Sequence, residues 1–251
     1  MAAKRGATDE NLTHRRDALD LEGIILAGGL GTRLSDAVPG LPKPMVPVAG
    51  RPFLSLLLDY LDGAGFSHVI LSVGHLAETI ISHFGDRHGH IELEYAVESS
   101  PLGTGGAVLH AMARCRDDSF FVINGDTFLA LDYTAMQTRH LASGADFTMA
   151  ARDVADVSRY GRIVLTDGRP SCMEEKSAVG PGLVNAGVYI FERRFFAGLI
   201  SDTPSSLERD IIAPRLPRVS SGIFATTGYF IDIGIPADYL RAQTELFRSW
   251  A

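Results

Sequence analysis

A glycine-rich loop that directly follows an apolar segment is the feature that most constrains this chain. Residues 24–27 are apolar, residues 28–33 contain three glycines and end on Arg33, and Lys43 stands between two prolines shortly afterwards. Glycines let backbone N–H groups turn toward an anion with no Cβ in the way. Arg33 adds a planar guanidinium, and the prolines restrict the backbone around the Lys43 ammonium. The pattern predicts a strand that ends in a loop built to hold a polyphosphate.

The spacing of this loop excludes two better-known phosphate-binding motifs. A P-loop carries its lysine directly after the second glycine, whereas Lys43 comes much later. The dinucleotide-binding motif Gly-x-Gly-x-x-Gly starts at Gly29, but Leu34 stands in place of its third glycine and Ala49 in place of its ribose-binding acid. Neither a P-loop ATPase nor a dehydrogenase is therefore favoured. A plain glycine-rich turn is the alternative, although it explains neither Arg33 nor the prolines beside Lys43.

The length and the charge of the chain limit the classes of protein to which it can belong. The 251 residues suit one large α/β domain, and the excess of 30 acidic over 23 basic side chains argues against a nucleic-acid-binding surface. Cys115 and Cys172 lack metal-ligand spacing and indicate a reducing compartment, so we expect a cytoplasmic protein. No apolar run approaches the roughly 20 residues of a membrane span, and residues 1–20 lack the apolar core of a secretory signal. We expect a flexible N-terminal arm over residues 1–20 and a single domain over residues 21–251.

Segments with strand character alternate with segments of helical periodicity along most of the chain. Predicted strands cover residues 21–27, 68–73, 91–97, 119–124, 146–150, 183–191 and 222–233, and predicted helices cover residues 52–61, 76–84, 104–114 and 133–141. Such alternation predicts an α/β fold with a Rossmann-like, mostly parallel sheet flanked by helices. Residues 151–192 depart from the pattern with short β segments and loops, which indicates a small β-rich lobe.

Two aspartates each follow an apolar, strand-like segment. Asp126 follows residues 120–125, and Asp232 follows residues 228–231. Ligands of an open parallel sheet bind beyond the carboxyl ends of its strands, so we expect both carboxylates to end strands of that sheet near the glycine-rich loop. One or two carboxylates together with substrate phosphates are the usual ligands of Mg²⁺. The alternatives are an Asn-Gly-Asp turn for Asp126 and a helix cap for Asp232.

The glycine-rich loop, the Pro-Lys-Pro segment and both aspartates together resemble the sugar-1-phosphate nucleotidyltransferases, over about residues 23–239. Members of that family join a nucleoside triphosphate to a sugar 1-phosphate and release pyrophosphate, on a GT-A-like fold. The resemblance implies that Arg33 and Lys43 stabilise the triphosphate and the leaving group, and that Asp126 and Asp232 hold Mg²⁺. The nucleotide contacts that it implies in the first loop are Leu26, Ala27, Gly28, Gly29, Gly31 and Thr32.

A second loop of small residues, 98–107, opens a predicted helix and is the expected site of the base. Gly103, Gly105 and Gly106 would let a flat base approach the backbone, and Glu98 complements the adjacent N1–H and N2–H donors of guanine. Relatives that bind uracil or thymine often carry Gln at this place, which favours GTP, although some uridylyl relatives also carry Glu. A solvated strand-end residue is the alternative for Glu98. The nucleotide contacts expected from this loop are Glu98, Pro101, Gly103 and Thr104.

The sugar phosphate is expected to contact the β-rich lobe. By resemblance, Lys176 would bind the phosphate of the sugar 1-phosphate and aim the nucleophile, while Glu175 would bind a sugar hydroxyl. The other sugar contacts that the resemblance implies are Tyr160, Gly161, Asn185 and Gly187. If the resemblance to the family is set aside, the Glu175-Lys176 pair is typical of a solvated surface, and the segment around Asn185 is typical of a buried strand.

Residues 38–54 most resemble the guanylyltransferases that act on D-glycero-α-D-manno-heptose 1-phosphate, with the mannose 1-phosphate guanylyltransferases close behind. The expected reaction is Mg²⁺-dependent, in-line attack of the sugar 1-phosphate on GTP, which gives GDP-heptose and pyrophosphate. The expected partners are therefore GTP and a sugar 1-phosphate, without nucleic acid or membrane, and a homo-oligomer is compatible with the family. Two alternatives stay open, a uridylyl- or cytidylyltransferase for another sugar phosphate and a catalytically silent regulatory subunit.

Overall fold

The computed structural model describes residues 20–29, 40–160, 162–174, 179–200 and 203–246, so residues 1–19 of the expected N-terminal arm lie outside the described residues. The strands are β1 (Leu21–Leu26), β2 (Pro47–Val48), β3 (Arg51–Pro52), β4 (Phe66–Val73), β5 (Arg87–His88), β6 (Ile91–Val97), β7 (Ser119–Asn124), β8 (Thr127–Leu129), β9 (Phe147–Val154), β10 (Arg162–Thr166), β11 (Arg169–Glu174), β12 (Gly182–Glu192), β13 (Ser221–Thr226) and β14 (Phe230–Asp232). The α-helices are α1 (Phe53–Gly63), α2 (Ala77–Phe84), α3 (Gly103–Ala111), α4 (Tyr133–Ser143), α5 (Ala213–Arg215) and α6 (Pro236–Glu245). Short 3-10 segments cover Lys43–Met45, Met112–Arg114, Arg193–Phe196 and Leu216–Arg218, and a π-helix covers Leu207–Ile212.

Most of the strands form one mixed sheet whose central strands are parallel. The order is β11-β10-β12-β7-β1-β4-β6-β5, and β9 pairs with both β12 and β13. β1 pairs in parallel with β4 and with β7, and β4 pairs in parallel with β6. β12 pairs in antiparallel with β7, which joins the β-rich segment to the central strands. The predicted α/β fold, with a mostly parallel central sheet flanked by helices, is confirmed.

Helices cover both faces of the sheet, which explains why its central strands read as continuous apolar runs. In β1, Ile25 packs in one core cluster with Phe53 and Leu57 of α1, whereas Ile24 packs in a second cluster with Val108 of α3. All five side chains are at most 1% exposed. Complete burial of an aliphatic or aromatic side chain of this size contributes about 1.5–3 kcal/mol. The glycine-rich loop therefore leaves a strand that is packed from both sides.

Local sequence signals set where the helices begin and end. The Asp132 carboxylate accepts a hydrogen bond from the Ala135 N–H at 2.8 Å and caps the first turn of α4. Gly144 ends that helix in the left-handed conformation, with φ of 61°. Pro236 occupies the first turn of α6, where a missing N–H costs no helical hydrogen bond. In the described part of the chain, no helix combines the length and apolar character needed to cross a membrane.

The single strand predicted at residues 222–233 is wrong, because the structure divides this segment into β13 and β14. β13 pairs in parallel with β9 in the main sheet, whereas β14 pairs in antiparallel with β8 in a separate two-stranded sheet. The chain turns between them at Gly228, where a Cβ atom would lie 1.8 Å from the Ala130 carbonyl oxygen. The Ala130 N–H donates to the Tyr229 carbonyl at 2.8 Å. Close backbone contact with the chain that follows β8 therefore requires glycine at this turn.

The β-rich segment at residues 151–192 contains an antiparallel hairpin and the whole of the long strand β12. β10 pairs with β11, and β10 meets β12 at Val184. The pairing of β12 with β9 changes register between Asn185 and Tyr189, and Gly187 in this stretch has φ of 73°. An irregularity of this kind bends a strand and redirects its side chains. The sugar-binding role of this lobe stays a prediction.

The turn at Gly228 can be tested by adding a single methyl group. We expect Gly228→Ala to lower the free energy of unfolding by about 2–3 kcal/mol, because the new Cβ would overlap the Ala130 carbonyl. Gly63→Ala is the matched control, since no atom lies within 4 Å of its Cβ position and alanine favours a helix by up to about 1 kcal/mol. Urea unfolding followed by circular dichroism measures both variants. An unchanged unfolding midpoint for Gly228→Ala would contradict this packing.

Candidate active site

The carboxyl ends of the central parallel strands surround a cavity of about 690 Å³. Leu26 closes β1, Ser72 lies next to the end of β4, Glu98 directly follows β6 and Asn124 closes β7. All four residues line the cavity. Ligands of open α/β sheets bind at this edge, outside the carboxyl ends of the strands. The cavity is therefore the candidate active site.

Both loops that the sequence singled out contribute to this cavity. The predicted site residues that line it are Leu26, Ala27, Gly28, Gly29, Lys43, Glu98, Pro101, Gly103, Thr104 and Asp126. The predicted site residues that lie outside the described residues are Gly31, Thr32, Arg33, Gly161, Glu175 and Lys176. The predicted residues that are described but do not belong to the lining are Tyr160, Asn185, Gly187 and Asp232.

Glycines allow the strand ends around the cavity to come close together. The Gly125 N–H donates to the Leu26 carbonyl at 3.0 Å, and a Cβ on Gly125 would lie 2.5 Å from that oxygen. A Cβ on Gly74 would lie 3.2 Å from the Gly28 carbonyl oxygen. A Cβ on Gly28 would in turn lie 2.9 Å from Oε1 of Glu98. Contact with backbone therefore requires glycine at Gly125, and the protein leaves little room for a Cβ at Gly28 and Gly74, independently of any ligand.

The Glu98 carboxylate is held inside the cavity by two donors. Its Oε1 accepts a hydrogen bond from the Ser72 hydroxyl at 3.3 Å, and its Oε2 accepts one from the Leu102 N–H at 3.0 Å. The Glu98 N–H donates to the Val73 carbonyl at 2.8 Å. This environment differs from that of a freely solvated strand-end residue, because both the side chain and the main chain have partners in the cavity wall.

The glycines at the start of α3 pack against the protein chain around Ser205. Gly103 has φ of 68°, and a Cβ on it would lie 2.5 Å from the Ser205 carbonyl oxygen. The Gly105 N–H donates to that oxygen at 2.8 Å, and the Thr104 hydroxyl oxygen accepts from the Leu207 N–H at 2.8 Å. Ser205 therefore occupies the space beside the Cβ positions of Gly103 and Gly105, and the approach of a base to the backbone of this loop stays a prediction.

Asp126 and Asp232 come together through the pairing of β8 with β14. Asp232 stands opposite Thr127, the residue after Asp126, and the Ile233 N–H donates to the Asp126 carbonyl at 3.0 Å. Asp232 therefore ends a strand outside the parallel sheet, contrary to the sequence-based expectation. Burial raises the pKa of Asp232, the negative charge of Asp126 raises this pKa further, and the Lys43 ammonium opposes both effects. Lys43 itself forms an ion pair with Asp126.

The two carboxylates fit a divalent metal ion on electrostatic grounds. Burial is the main cause of the raised pKa of Asp232 and the charge of Asp126 adds to it, so a bound cation, which favours the ionised carboxylates, would oppose both effects. The Gly234 N–H donates a hydrogen bond to Oδ1 of Asp232 at 2.6 Å, and the Thr127 hydroxyl donates one to Oδ1 of Asp126 at 3.1 Å. Among the described residues, no group of three or more His, Cys, Asp or Glu side chains could hold a metal ion. A metal at this place would therefore need phosphate and water ligands in addition.

Helix α6, which follows β14, holds the segment that carries Lys43. Oε1 of Gln243 accepts from the Ala49 N–H at 2.8 Å, and Nε2 of Gln243 donates to the Pro47 carbonyl at 3.0 Å. The Tyr239 hydroxyl donates to the same carbonyl at 2.9 Å. Because β2 begins two residues after the 3-10 segment of Lys43 and α6 follows β14, these bonds link the segment after the lysine to the helix that follows the second carboxylate.

The same helix also reaches the β-rich lobe. Asp238 in α6 is 1% exposed and forms ion pairs with Arg159 and, at 3.1 Å, with Arg241. The Arg159 guanidinium lies 5.5 Å from the centre of the Tyr160 ring, and that ring lies 5.6 Å from the ring of Phe230 in β14. The predicted sugar contact Tyr160 therefore lies beside the strand that ends at the second carboxylate.

Asn185 and Gly187 lie at the irregularity in β12. Nδ2 of Asn185 donates to the Tyr189 hydroxyl, and Oδ1 accepts from the Gly187 N–H at 3.0 Å. The Tyr189 hydroxyl donates to Oε1 of Glu208 at 2.8 Å. A Cβ on Gly187 would lie 2.8 Å from Nδ2 of Asn124, so this part of β12 abuts the end of β7. Among the described residues, one N–H and one lone pair of the Asn185 amide have no hydrogen-bond partner, and their use by a sugar stays a prediction.

Among the residues that line the cavity, Ser72, Gly74 and His75 belong to a segment in which sequence reasoning proposed no site residue. They lie at the carboxyl end of β4, which the sequence predicted as a strand ending at residue 73. The rule that placed ligands at the ends of the other parallel strands applies equally to this one. Their position at the end of a predicted strand therefore indicated a site, but the segment contains no Asp, Glu, Lys or Arg side chain and no cluster of glycines.

The sequence is similar to those of known proteins. It matches the nucleotidyl transferase family over residues 22–249. It is 39% identical over 226 residues to the D-glycero-alpha-D-manno-heptose 1-phosphate guanylyltransferase of Aneurinibacillus thermoaerophilus, which covers 90% of this chain and 98% of that protein. It is 33% identical over 244 residues to the mannose-1-phosphate guanylyltransferase of Mycobacterium tuberculosis, which covers 95% of this chain and 67% of that protein.

The fold is shared with the crystal structure of HddC from Yersinia pseudotuberculosis. The two chains are 36% identical with a TM-score of 0.81, and the match covers 90% of this chain and 99% of the other. HddC in complex with GMP-PN matches with a TM-score of 0.80. The resemblance found in the sequence is thereby confirmed, and the chain belongs to the nucleotidyl transferase family.

Proposed function

We propose that this protein transfers the guanylyl group of GTP to D-glycero-α-D-manno-heptose 1-phosphate, giving GDP-heptose and pyrophosphate. The observation that carries the proposal is a single cavity with the Glu98 carboxylate at one place and Lys43 and Asp126 at another. A fixed carboxylate complements the adjacent N–H donors of guanine, and the ammonium complements a triphosphate. The heptose is supported by the 39% identical relative from Aneurinibacillus thermoaerophilus, whose name states that substrate.

The reaction is an in-line displacement at the α-phosphorus of GTP. An oxygen of the sugar 1-phosphate forms a bond to that phosphorus, and the bond from the phosphorus to the bridging oxygen of the β-phosphate breaks, so pyrophosphate leaves. Because the nucleophile is already anionic, no general base is required, and the protein acts by positioning and charge neutralisation. Arg33 and Lys43 would stabilise the triphosphate and the leaving group, and Lys176 would orient the sugar phosphate.

Asp126 and Asp232 are the proposed ligands of Mg²⁺. When bound, this ion would neutralise charge on the phosphate oxygens. The paired strands β8 and β14 keep the two carboxylates close in spite of their like charge. Lys43 pairs with Asp126 in the structure, and its long, flexible stem allows the ammonium to reach a phosphate group instead.

The sugar is proposed to lie between Tyr160 and the stretch of β12 that carries Asn185 and Gly187, with Gly161 and Glu175 as further contacts. Tyr160 lies beside β14 and Gly187 lies against Asn124, so both flank the pair of carboxylates. Mannose 1-phosphate is the second candidate, because the relative from Mycobacterium tuberculosis, 33% identical, is named for that substrate.

Pyrophosphate release tests the proposed reaction directly. The full chain is incubated with Mg²⁺ and each of GTP, UTP, CTP, ATP and dTTP, paired in turn with the 1-phosphates of the heptose, mannose, glucose and N-acetylglucosamine. We expect turnover with GTP and heptose 1-phosphate. Turnover confined to UTP would keep the mechanism and remove the guanine assignment. No turnover in any combination, with folded protein, would favour a silent regulatory subunit.

Removal of the Lys43 ammonium tests its part in the chemistry. We expect Lys43→Met to lower kcat by about 10² or more, because the ammonium stabilises charge that develops on the leaving group, while the methionine keeps the apolar stem. Arg51→Met is the matched control, since this side chain is half-exposed and pairs with Asp59 of α1 at 2.7 Å. Steady-state kinetics at saturating substrates compares the two. Near-normal turnover of Lys43→Met would refute the assignment.

Titration with Mg²⁺ tests the two carboxylates. We expect Asp126→Asn and Asp232→Asn each to raise the Mg²⁺ concentration at half-maximal rate by about tenfold or more, since even outer partners of metal ligands are worth that much. EDTA should abolish the activity, and added Mg²⁺ should restore it. Asp118→Asn, at the opposite end of β7 and with an exposed side chain, is the control. Unchanged Mg²⁺ dependence in both variants would exclude these aspartates as ligands.

A further inference from the structure

A buried hydroxyl stands at the cavity end of β4. Ser72 is 0% exposed and lies between Leu71 and Val73, which are also fully buried. A hydroxyl buried without a partner costs about 1–3 kcal/mol, so a serine at this place in an apolar strand needs an acceptor. Oε1 of Glu98 is that acceptor, at 3.3 Å. The serine belongs to the cavity wall, and its hydroxyl is directed at the residue proposed to read the base.

The Glu98 carboxylate is held at both oxygens by donors from different parts of the chain. Ser72 of β4 donates to Oε1, and the Leu102 N–H, just before α3, donates to Oε2. A single donor would leave the carboxylate free to rotate about that one bond, whereas two donors on opposite oxygens fix its plane. Gly28 supplies the space, since a Cβ there would lie 2.9 Å from Oε1.

The acceptor positions that remain on the Glu98 carboxylate match the hydrogen-bond donors of guanine. An ionised carboxylate accepts about four hydrogen bonds, so the described part of the chain leaves one acceptor position on each oxygen beside those used by Ser72 and Leu102. Guanine offers two neighbouring donors, N1–H and N2–H, with the spacing of the two carboxylate oxygens. Both bonds can form together only if the plane of the carboxylate is aligned with the plane of the base.

We infer that Ser72 is a positioning residue for base recognition, which acts by fixing the Glu98 carboxylate in the orientation that accepts both guanine donors. The inference rests on the proposed function, because it assumes that Glu98 contacts guanine. Ser72 itself touches no substrate in this account. Loss of the Ser72 hydroxyl would leave the Glu98 carboxylate held by the Leu102 N–H alone. The hydrogen bond from the 2-amino group of guanine to Glu98 would then weaken more than the other contacts of the nucleotide.

Inosine nucleotides isolate that contact, because hypoxanthine keeps N1–H and lacks the 2-amino group. We expect the wild-type protein to bind GTP about tenfold or more tightly than ITP, as for one hydrogen bond to a charged group. In Ser72→Ala we expect this ratio to fall by about three- to tenfold, through weaker binding of GTP. In turnover assays the loss should be found in the KM for GTP, with kcat little changed. Equilibrium binding without sugar phosphate measures the ratio independently of catalysis.

Two further variants separate the possible outcomes. Ser221→Ala removes another buried strand serine, in β13, and should leave the ratio of GTP to ITP binding unchanged. Glu98→Gln replaces one acceptor oxygen by a donor and should abolish the preference for GTP. If Glu98→Gln abolishes the preference while Ser72→Ala keeps it, the inference about Ser72 is overturned and the base assignment stands. If Glu98→Gln also keeps the preference, the base assignment fails and the inference fails with it.

Equal weakening of GTP and ITP binding by Ser72→Ala would show only a loss of local packing, and it would also overturn the inference. Thermal unfolding of each variant identifies such a loss. Because these comparisons use nucleotide binding alone, a protein that discriminates GTP from ITP but transfers nothing to any sugar phosphate would support the positioning role of Ser72 and refute the proposed transfer reaction.

Discussion

The pairing of β8 with β14 is the contact on which the candidate site depends. It places Asp232 next to Asp126, although burial raises the pKa of Asp232 and repulsion between the two carboxylates raises this pKa further. The bonds that hold the pair are made by backbone groups, including the Ile233 N–H and the Asp126 carbonyl. Backbone hydrogen bonds do not change when a side chain gains or loses a proton. The arrangement can therefore keep two like charges close and available to a cation.

Helix α6 extends this arrangement to the rest of the site. It begins just after β14, it holds the segment after Lys43 through Tyr239 and Gln243, and it holds the loop before the hairpin of β10 and β11 through Asp238 and Arg159. The proposed metal site, the segment after Lys43 and the β-rich lobe are therefore all held by one helix. Groups that act on a single phosphorus atom need fixed mutual distances, because small displacements of reacting groups cost large factors in rate.

The proposed base site is built by a different kind of contact. There the strand ends approach through glycines, and one carboxylate is oriented by a hydroxyl and a backbone N–H. The hydrogen bonds from Ser72 and Leu102 use some of the acceptor positions of the Glu98 carboxylate. The remaining acceptor positions are few and point in fixed directions. Such a group discriminates between bases by the pattern of their donors. Charge dominates at the end of the cavity proposed to bind the phosphates, whereas hydrogen-bond geometry dominates at the end proposed to bind the base.

The sequence by itself determined the fold class and much of the cavity lining, because a glycine-rich loop after an apolar strand and an acid at a strand end are local patterns. It did not predict that residues 222–233 form two strands, since that division depends on contact between Gly228 and the distant Ala130. It did not predict that Ser205 packs beside Gly103 and Gly105, and it passed over Ser72, whose hydrogen-bond partner Glu98 is 26 residues away. Tertiary structure alone decided which segments face each other. The physical reason is that strand pairing, the space beside a glycine and the partner of a buried hydroxyl are all set by residues remote in the chain.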